Sequence, residues 1–295
     1  MLSILIPVYN YNVVPLVLEL HKQCLECEID FEILVIDDGS NQFLSENQEI
    51  NSFKNCRFQS LEKNIGRSAI RNLLAKKAEF DSLLFLDADT IPTYEYFIKN
   101  YIVQINEEDK IIYGGIQYQK EKPNKNQILR WVYGKQREAL SVAIRNTNPN
   151  RNALTSNILI QKNVFISNKF DETINKYGYE DLVFLSDLKK KGVFVKHIDN
   201  PTYHLGLETS QQFLEKTKIA LGNLKLIAET SSLDNSESKI MHTYILVKRL
   251  YLGFLISFLF KIAERKIERN LLSQNPSLLL FDFYKLGYYC RIKSK

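Results

Sequence analysis

Residues 82–92 read SLLFLDADTIP: a short apolar run, Leu83 to Leu86, breaks into two aspartates, Asp87 and Asp89, with one alanine between them. A run of this length, rich in strand formers and closed by a polar cluster, reads as a buried strand. Two stretches upstream repeat the pattern. Residues 2–6 (LSILI) lead into PVYN, and residues 31–36 (FEILVI) lead into Asp37-Asp38-Gly39-Ser40. Helical periodicity fills the gaps, notably from 66 to 80. Strand alternating with helix predicts the α/β class, a mainly parallel sheet flanked by helices on both faces, with ligands at the carboxyl ends of the strands. Both carboxylate pairs then share one edge of the sheet. A second set of elements from about 111 to 205, including the strand-like ALTSNILI at 153–160 and a helix beginning near Glu180, completes the same domain.

Bulk properties agree with one large domain and a smaller appendage in 295 residues. Hydrophobic residues make up 45% and charged residues 25%, enough for a sizeable core and far from the composition of disorder. Cys24, Cys27, Cys56 and Cys290 are too sparse for a disulfide framework and point to a reducing compartment. Cys24 and Cys27 form a C-x-x-C, but no second pair or nearby histidine completes a zinc site, and the spacing reads as one helix face. The segment MLSILIPVYN lacks a positive n-region and meets Pro7 early, which reads as a strand rather than a secretory signal. No uncharged apolar stretch reaches the roughly 18 residues of a spanning helix, so a cytoplasmic protein is expected.

Five segments in order, SILIPVYN, VIDDGS, NIGRSAIRN, LFLDADT and YGYEDLVF, resemble glycosyltransferase family 2 with its GT-A, Rossmann-like fold. The match spans roughly residues 1–205, and five ordered motifs are far more specific than any one of them. The resemblance implies an inverting, nucleotide-sugar-dependent transferase, with UDP the commonest nucleotide. By it, Pro7, Tyr9, Asp37, Asp38, Gly66, Arg67 and Asp87 serve the nucleotide, Asn157 and Glu180 the donor or acceptor sugar, Asp89 and His204 a divalent metal (Mn2+ or Mg2+), and Asp181 is the catalytic base.

The chemistry needs those residue types. Breaking a sugar–diphosphate bond builds charge on the departing diphosphate, which a divalent cation stabilises as a Lewis acid. Asp87 and Asp89 can put one carboxylate on the cation and the other on ribose or a metal-bound water. His204 would make the set mixed oxygen and nitrogen, favouring manganese over calcium, although a lone histidine is more often structural. An inverting transfer also needs a carboxylate to take the proton of the attacking hydroxyl. Glu180 and Asp181 open a helix after Gly178, where acidic residues also simply complement the helix dipole. Arg71 and Asn72 serve substrate or packing equally well, and Trp131 and Tyr133 read as core packing before sugar stacking.

Near 231–239 the polar, aperiodic SSLDNSESK separates a domain at 1–230 from a basic, amphipathic helical segment at 240–295. That segment has ten basic residues against three acidic, a net +7, while the whole chain is +5, so residues 1–239 carry −2. It contains LYLGFLISFLF at 250–260, flanked by Lys248-Arg249 and Lys261. The stretch is too short to span a bilayer and reads either as an interfacial helix on anionic membrane or as a helix packed on the domain. An acceptor would be a saccharide or lipid-linked hydroxyl, in polysaccharide or glycolipid assembly, and no nucleic-acid motif accompanies the charge. Two other functions fit parts of the sequence. One is a silent nucleotide-sugar-binding subunit. The other is a haloacid-dehalogenase-like phosphatase with Asp87 as nucleophile and Asp89 as acid, which its place after three nucleotide-like segments argues against.

Overall fold

The computed structural model describes residues 1–105, 110–174, 176–230 and 233–292. Strands β1 (Leu2–Val8), β2 (Phe31–Asp37), β3 (Cys56–Ser60) and β4 (Ser82–Leu86) pair in parallel in the spatial order β3-β2-β1-β4. Helices α1 (Val14–Glu26), α2 (Leu44–Gln48) and α3 (Arg67–Lys77) run in the connections.

Alternation along the strands explains why both sheet faces are covered. Ile4, Ile6, Ile33 and Val35 point to one face, against Leu16, Val17 and Leu20 of α1. Leu5, Leu34, Ile36 and Phe85 point to the other, against Ile70 and Leu74 of α3. Strands buried on both faces read as continuous apolar runs, as these do.

After β4 the chain doubles back through β5 (Thr90–Pro92), then α4 (Phe97–Ile102), β6 (Ile111–Tyr113) and β7 (Ile116–Gln117). Helix α5 (Ile128–Tyr133) is followed by a π-helical turn at Gly134–Glu138 and by α6 (Val142–Arg145). Strand β8 (Asn157–Gln161) inserts antiparallel between β4 and β6. It begins four residues later than the strand-like segment of the sequence suggests, because Leu154–Ser156 bend toward the site. Helices α7 (Lys162–Ile166) and α8 (Glu180–Lys190) follow, then β9 (Lys196–His197), parallel to β6 at the sheet edge, and β10 (Thr202–His204). A second, three-stranded sheet has the order β5-β10-β7.

The remaining helices are α9 (Ser210–Thr230), α10 (Lys239–Arg249), α11 (Gly253–Leu271) and α12 (Leu278–Arg291). They join the main body through shared cores. Leu129 of α5 and Leu214 of α9 pack with Phe260, Ile267, Phe281 and Tyr284, and Val183 of α8 packs with Leu221, Met241 and Tyr289. Positions 231 and 232 of the expected linker, and 293–295 at the basic end, lie outside the described residues. The rest of the linker is not a free tether: Leu233, Glu237 and Ser238 are buried, and Ser238 caps α10. The apolar 250–260 stretch is not one helix either, since α10 ends at Arg249 and α11 begins at Gly253. The cysteines are free thiols, and Cys24 is buried in α1.

Candidate active site

A pocket of about 590 Å3 opens at the carboxyl ends of β1, β2 and β4. Pro7, Tyr9, Asp38, Gly66, Arg67, Asp87, Asp89, Glu180, Asp181 and His204 all line it. Residues scattered over the sequence are thereby brought together in the crevice beyond the strand ends.

The two-aspartate turn is fixed from several sides. The Asp87 N–H donates to Ser156 O at 3.1 Å, and the Asp87 carboxylate takes Arg71 of α3 at 2.8 Å. Strand β10 pairs antiparallel with β5, setting His204 opposite Thr90, while the Leu205 N–H donates to Asp89 O at 2.8 Å. That pairing brings His204 Nε2 to 3.4 Å from Asp89 Oδ2. Gly206 permits the approach, because a Cβ there would run into the Asp89 carboxylate. The His204 ring stacks on Tyr118 at 5.4 Å. The Tyr118 hydroxyl in turn donates to Glu138, which also holds Arg130 at 3.1 Å.

These two side chains suit a divalent ion. The 3.4 Å gap exceeds a normal hydrogen bond and approaches the spacing of two donors sharing one small cation. Among the described residues no group of three or more His, Cys, Asp or Glu is arranged to hold a metal. Hard divalent ions of this kind commonly take one or two protein ligands and complete their shell with substrate phosphates and water. Burial pushes the Asp89 carboxyl up and His204 pulls it back.

The entry to α8 is built on strain. Gly178 (φ 92°) and Tyr179 (φ 72°) are successive left-handed residues, a conformation rare for a bulky side chain and concentrated at functional sites. Asn223 of α9 clamps the turn, donating to the carbonyls of Gly178 at 2.6 Å and Lys176 at 3.1 Å. The turn aims Glu180 and Asp181 into the pocket. Glu180 is buried 3.4 Å from Arg67, and its Oε2 has no hydrogen-bond partner. Asp181 accepts from the Thr155 hydroxyl at 2.5 Å and the Thr155 N–H at 3.3 Å. Burial raises its carboxyl above the ordinary range, against the pull of Arg71.

Asp38 lies on the wall, but its two oxygens accept from the Ile65 N–H at 2.7 Å and the Gly66 N–H at 3.1 Å. It thereby shapes the loop that presents Arg67, whose guanidinium lies 4.8 Å over the Tyr177 ring. Two expected residues lie elsewhere. Asp37 is fully buried and accepts from Ser40 and Ser60, because adjacent residues at a strand end point to opposite faces. Asn157 is also fully buried, donating to the carbonyls of Gly115 and Asn200 and accepting from Tyr101. It bridges loops and does not reach the pocket. Trp131 donates to Gln119 O, and Tyr133 packs on Phe213 and Phe281.

Sequence reasoning missed Ser156, whose buried Oγ lines the pocket without a partner, and the Tyr118–Glu138–Arg130 network. Tyr118 and Glu138 stand in polar stretches, QYQKEK and KQREAL, that carry no sign of a buried pocket wall. Lys216 of α9, ion-paired to Glu208, also reaches the wall, so α9 contributes to the site.

Residues 3–172 match the family described as Glycosyl transferase family 2. The chain belongs to that family. An uncharacterized glycosyltransferase of Rickettsia felis is 34% identical over 122 residues, 40% of this chain and 19% of that protein. The chain spans between 19% and 29% of the length of the curated relatives it matches. Two solved structures share the fold. A Pyrobaculum calidifontis mannosyltransferase, PcManGT, in complex with GDP-Man and Mn2+, superposes with a TM-score of 0.58 at 12% identity, covering 98% of this chain and 84% of that one. TarS 1-349 of S. aureus in complex with UDP-GlcNAc gives 0.51 at 16% identity, covering 98% and 89%.

Proposed function

We propose that this pocket is the active site of an inverting glycosyltransferase that moves a sugar from a nucleoside-diphosphate sugar, UDP-linked, to a hydroxyl acceptor. One observation carries the reading: the Asp89–His204 pair and the raised carboxyl of Asp181 face the same cavity, with Arg67 and Asp38 on its wall. Asp181 takes the proton of the acceptor hydroxyl as its oxygen attacks the anomeric carbon, and the bond from that carbon to the diphosphate breaks on the opposite face. Arg67 and the Gly66 loop meet the nucleotide end of the donor, and Glu180 holds Arg67 in place. A Mn2+ or Mg2+ ion held by Asp89 and His204 would supply Lewis-acid stabilisation of the charge on the departing diphosphate. Strands β4 and β10 end at the cavity and α8 begins there, so these three elements position the side chains of the site.

Residues 1–230 form the catalytic unit in this reading, with 231–239 as the connection and 240–295 as a basic appendage docked on it. The acceptor is a saccharide or lipid-linked hydroxyl, in polysaccharide or glycolipid assembly, met in the cytoplasm or at the membrane face. The phosphatase alternative needs Asp87 free to attack phosphorus, and Arg71 occupies its Oδ1. A screen of UDP- and GDP-sugars for hydrolysis with and without Mn2+ tests the proposal. Metal-dependent release of one sugar supports it. Tight UDP–Mn2+ binding with no turnover toward any acceptor supports the silent binding subunit instead.

A further inference from the structure

Between α10 and α11 the chain turns a sharp corner at residues 250–252, with Tyr251 left-handed at φ 57°. Everything large and apolar at this corner faces out. At about 200 Å2 per aromatic side chain, Tyr251 (93% exposed), Phe254 (85%) and Phe258 (50%) leave on the order of 450 Å2 uncovered. Leu250, Leu255, Leu259 and Ile262 enlarge the patch, taking it past the few hundred Å2 that a monomeric protein ordinarily shows. Helical spacing explains the division. Phe260, Ile267 and Leu271 face the core, while 254, 258 and 262, with 255 and 259 beside them, form the outward stripe.

The charge on this stripe is one-sided. Past Ile262 the outward face continues as Arg265, Lys266 and Arg269, and Lys248, Arg249 and Lys261 border the apolar part, all exposed. The two carboxylates of α11 are engaged inward: Glu264 by Arg291 at 2.7 Å, Glu268 by Lys218 at 3.1 Å and the Tyr284 hydroxyl at 2.8 Å. None of the six cations is ion-paired among the described residues.

We propose that the α10–α11 corner docks on an anionic lipid surface, Tyr251, Phe254 and Phe258 entering the headgroup boundary while the six basic residues meet lipid phosphates. Aromatic insertion beside a basic rim is the chemistry of interfacial helices. A second copy of the chain seated on this face would oppose its own cations, whereas anionic lipid complements both the apolar stripe and its basic rim. The inference stands on the corner alone and is independent of the function assigned to the pocket.

The test is co-sedimentation of the full chain with phosphatidylglycerol-containing vesicles and with pure phosphatidylcholine vesicles. Binding is expected to the anionic vesicles at low salt, falling with added salt. Replacing Arg265, Lys266 and Arg269 by Gln weakens it on the order of 100-fold. The Tyr251→Ser, Phe254→Ser, Phe258→Ser triple variant weakens it at least tenfold with an unchanged circular dichroism spectrum. A Phe254→Trp variant shows bilayer-dependent quenching by brominated lipid beyond that of the native Trp131. Absence of binding at low salt, full binding by the triple variant, or an apolar-patch dimer in sedimentation that ignores vesicles each overturns the proposal. Donor turnover in solution is the same in the triple variant whichever way the vesicle result falls, which separates this inference from the reading of the pocket.

Discussion

Thr155 holds Asp181 by two bonds, its hydroxyl to Oδ1 at 2.5 Å and its N–H to Oδ2 at 3.3 Å. A loop ahead of β8 thus aims a carboxylate delivered by α8, and both oxygens are oriented before any acceptor arrives. Asp181→Asn is expected to lower kcat by about 100-fold or more while donor affinity is retained. Thr155→Val, which removes the hydroxyl bond and little volume, lowers kcat less. Calorimetry and initial rates on the two variants check this; an unchanged rate in Asp181→Asn moves the base elsewhere.

Burial also makes Asp181 a source of pH dependence. Its folded carboxyl binds a proton more tightly than the unfolded one, so its contribution to stability is present in acid and lost as pH rises through the folded value. The metal-free Asp181→Asn variant is therefore expected to melt a few degrees higher than the native chain at neutral pH, with the gap closing in acid. For the same reason the acid limb of the rate profile lies above the ordinary carboxylate value of about 4. Melting curves at two pH values and a rate profile measure both.

Asp89 and His204 meet through β-sheet pairing, and their removal separates their roles. Asp89→Ala is expected to abolish turnover at every Mn2+ concentration, whereas His204→Ala raises the Mn2+ needed and leaves residual activity. Gly206→Ala, which pushes into the Asp89 carboxylate, behaves like a weak Asp89 variant. Manganese titrations followed by electron paramagnetic resonance, with UDP present, read the affinities directly. Full activity of Asp89→Ala at low Mn2+ would remove it from the metal site.

Asn157 sits under the site as a brace. Asn157→Ala removes the amide bonds to the carbonyls of Gly115 and Asn200 and the side-chain acceptor of Tyr101, which keeps the residue-157 carbonyl, at a cost of about 1–3 kcal/mol. A lower melting temperature with unaltered donor affinity is the expected result. Lost donor binding at unchanged stability would return the residue to the sugar.

The parts of this architecture that local pattern controls were legible in the sequence. Strands β1, β2 and β4 announce themselves as apolar runs, Asp87 and Asp89 follow from where β4 ends, and Glu180 and Asp181 from where the expected helix α8 begins. What long-range pairing controls was not legible. That Asp38 faces the pocket while Asp37 turns into the core depends on the pleat at the end of β2. The seating of Asn157 depends on three loops that meet only in the folded chain. The same holds for the corner at Tyr251, where an apolar stretch that reads as one helix is divided between the turn at 250–252 and the start of α11, and each face of α11 takes a different surrounding.

The central claim, inverting transfer with Asp181 as base, is tested most directly by proton NMR of the first-formed product from whichever nucleotide-sugar the chain turns over. The account predicts that the transferred sugar emerges with its anomeric configuration inverted and that the signal is lost in Asp181→Asn. A product of retained configuration, or an inverted product formed at the native rate by Asp181→Asn, would contradict it.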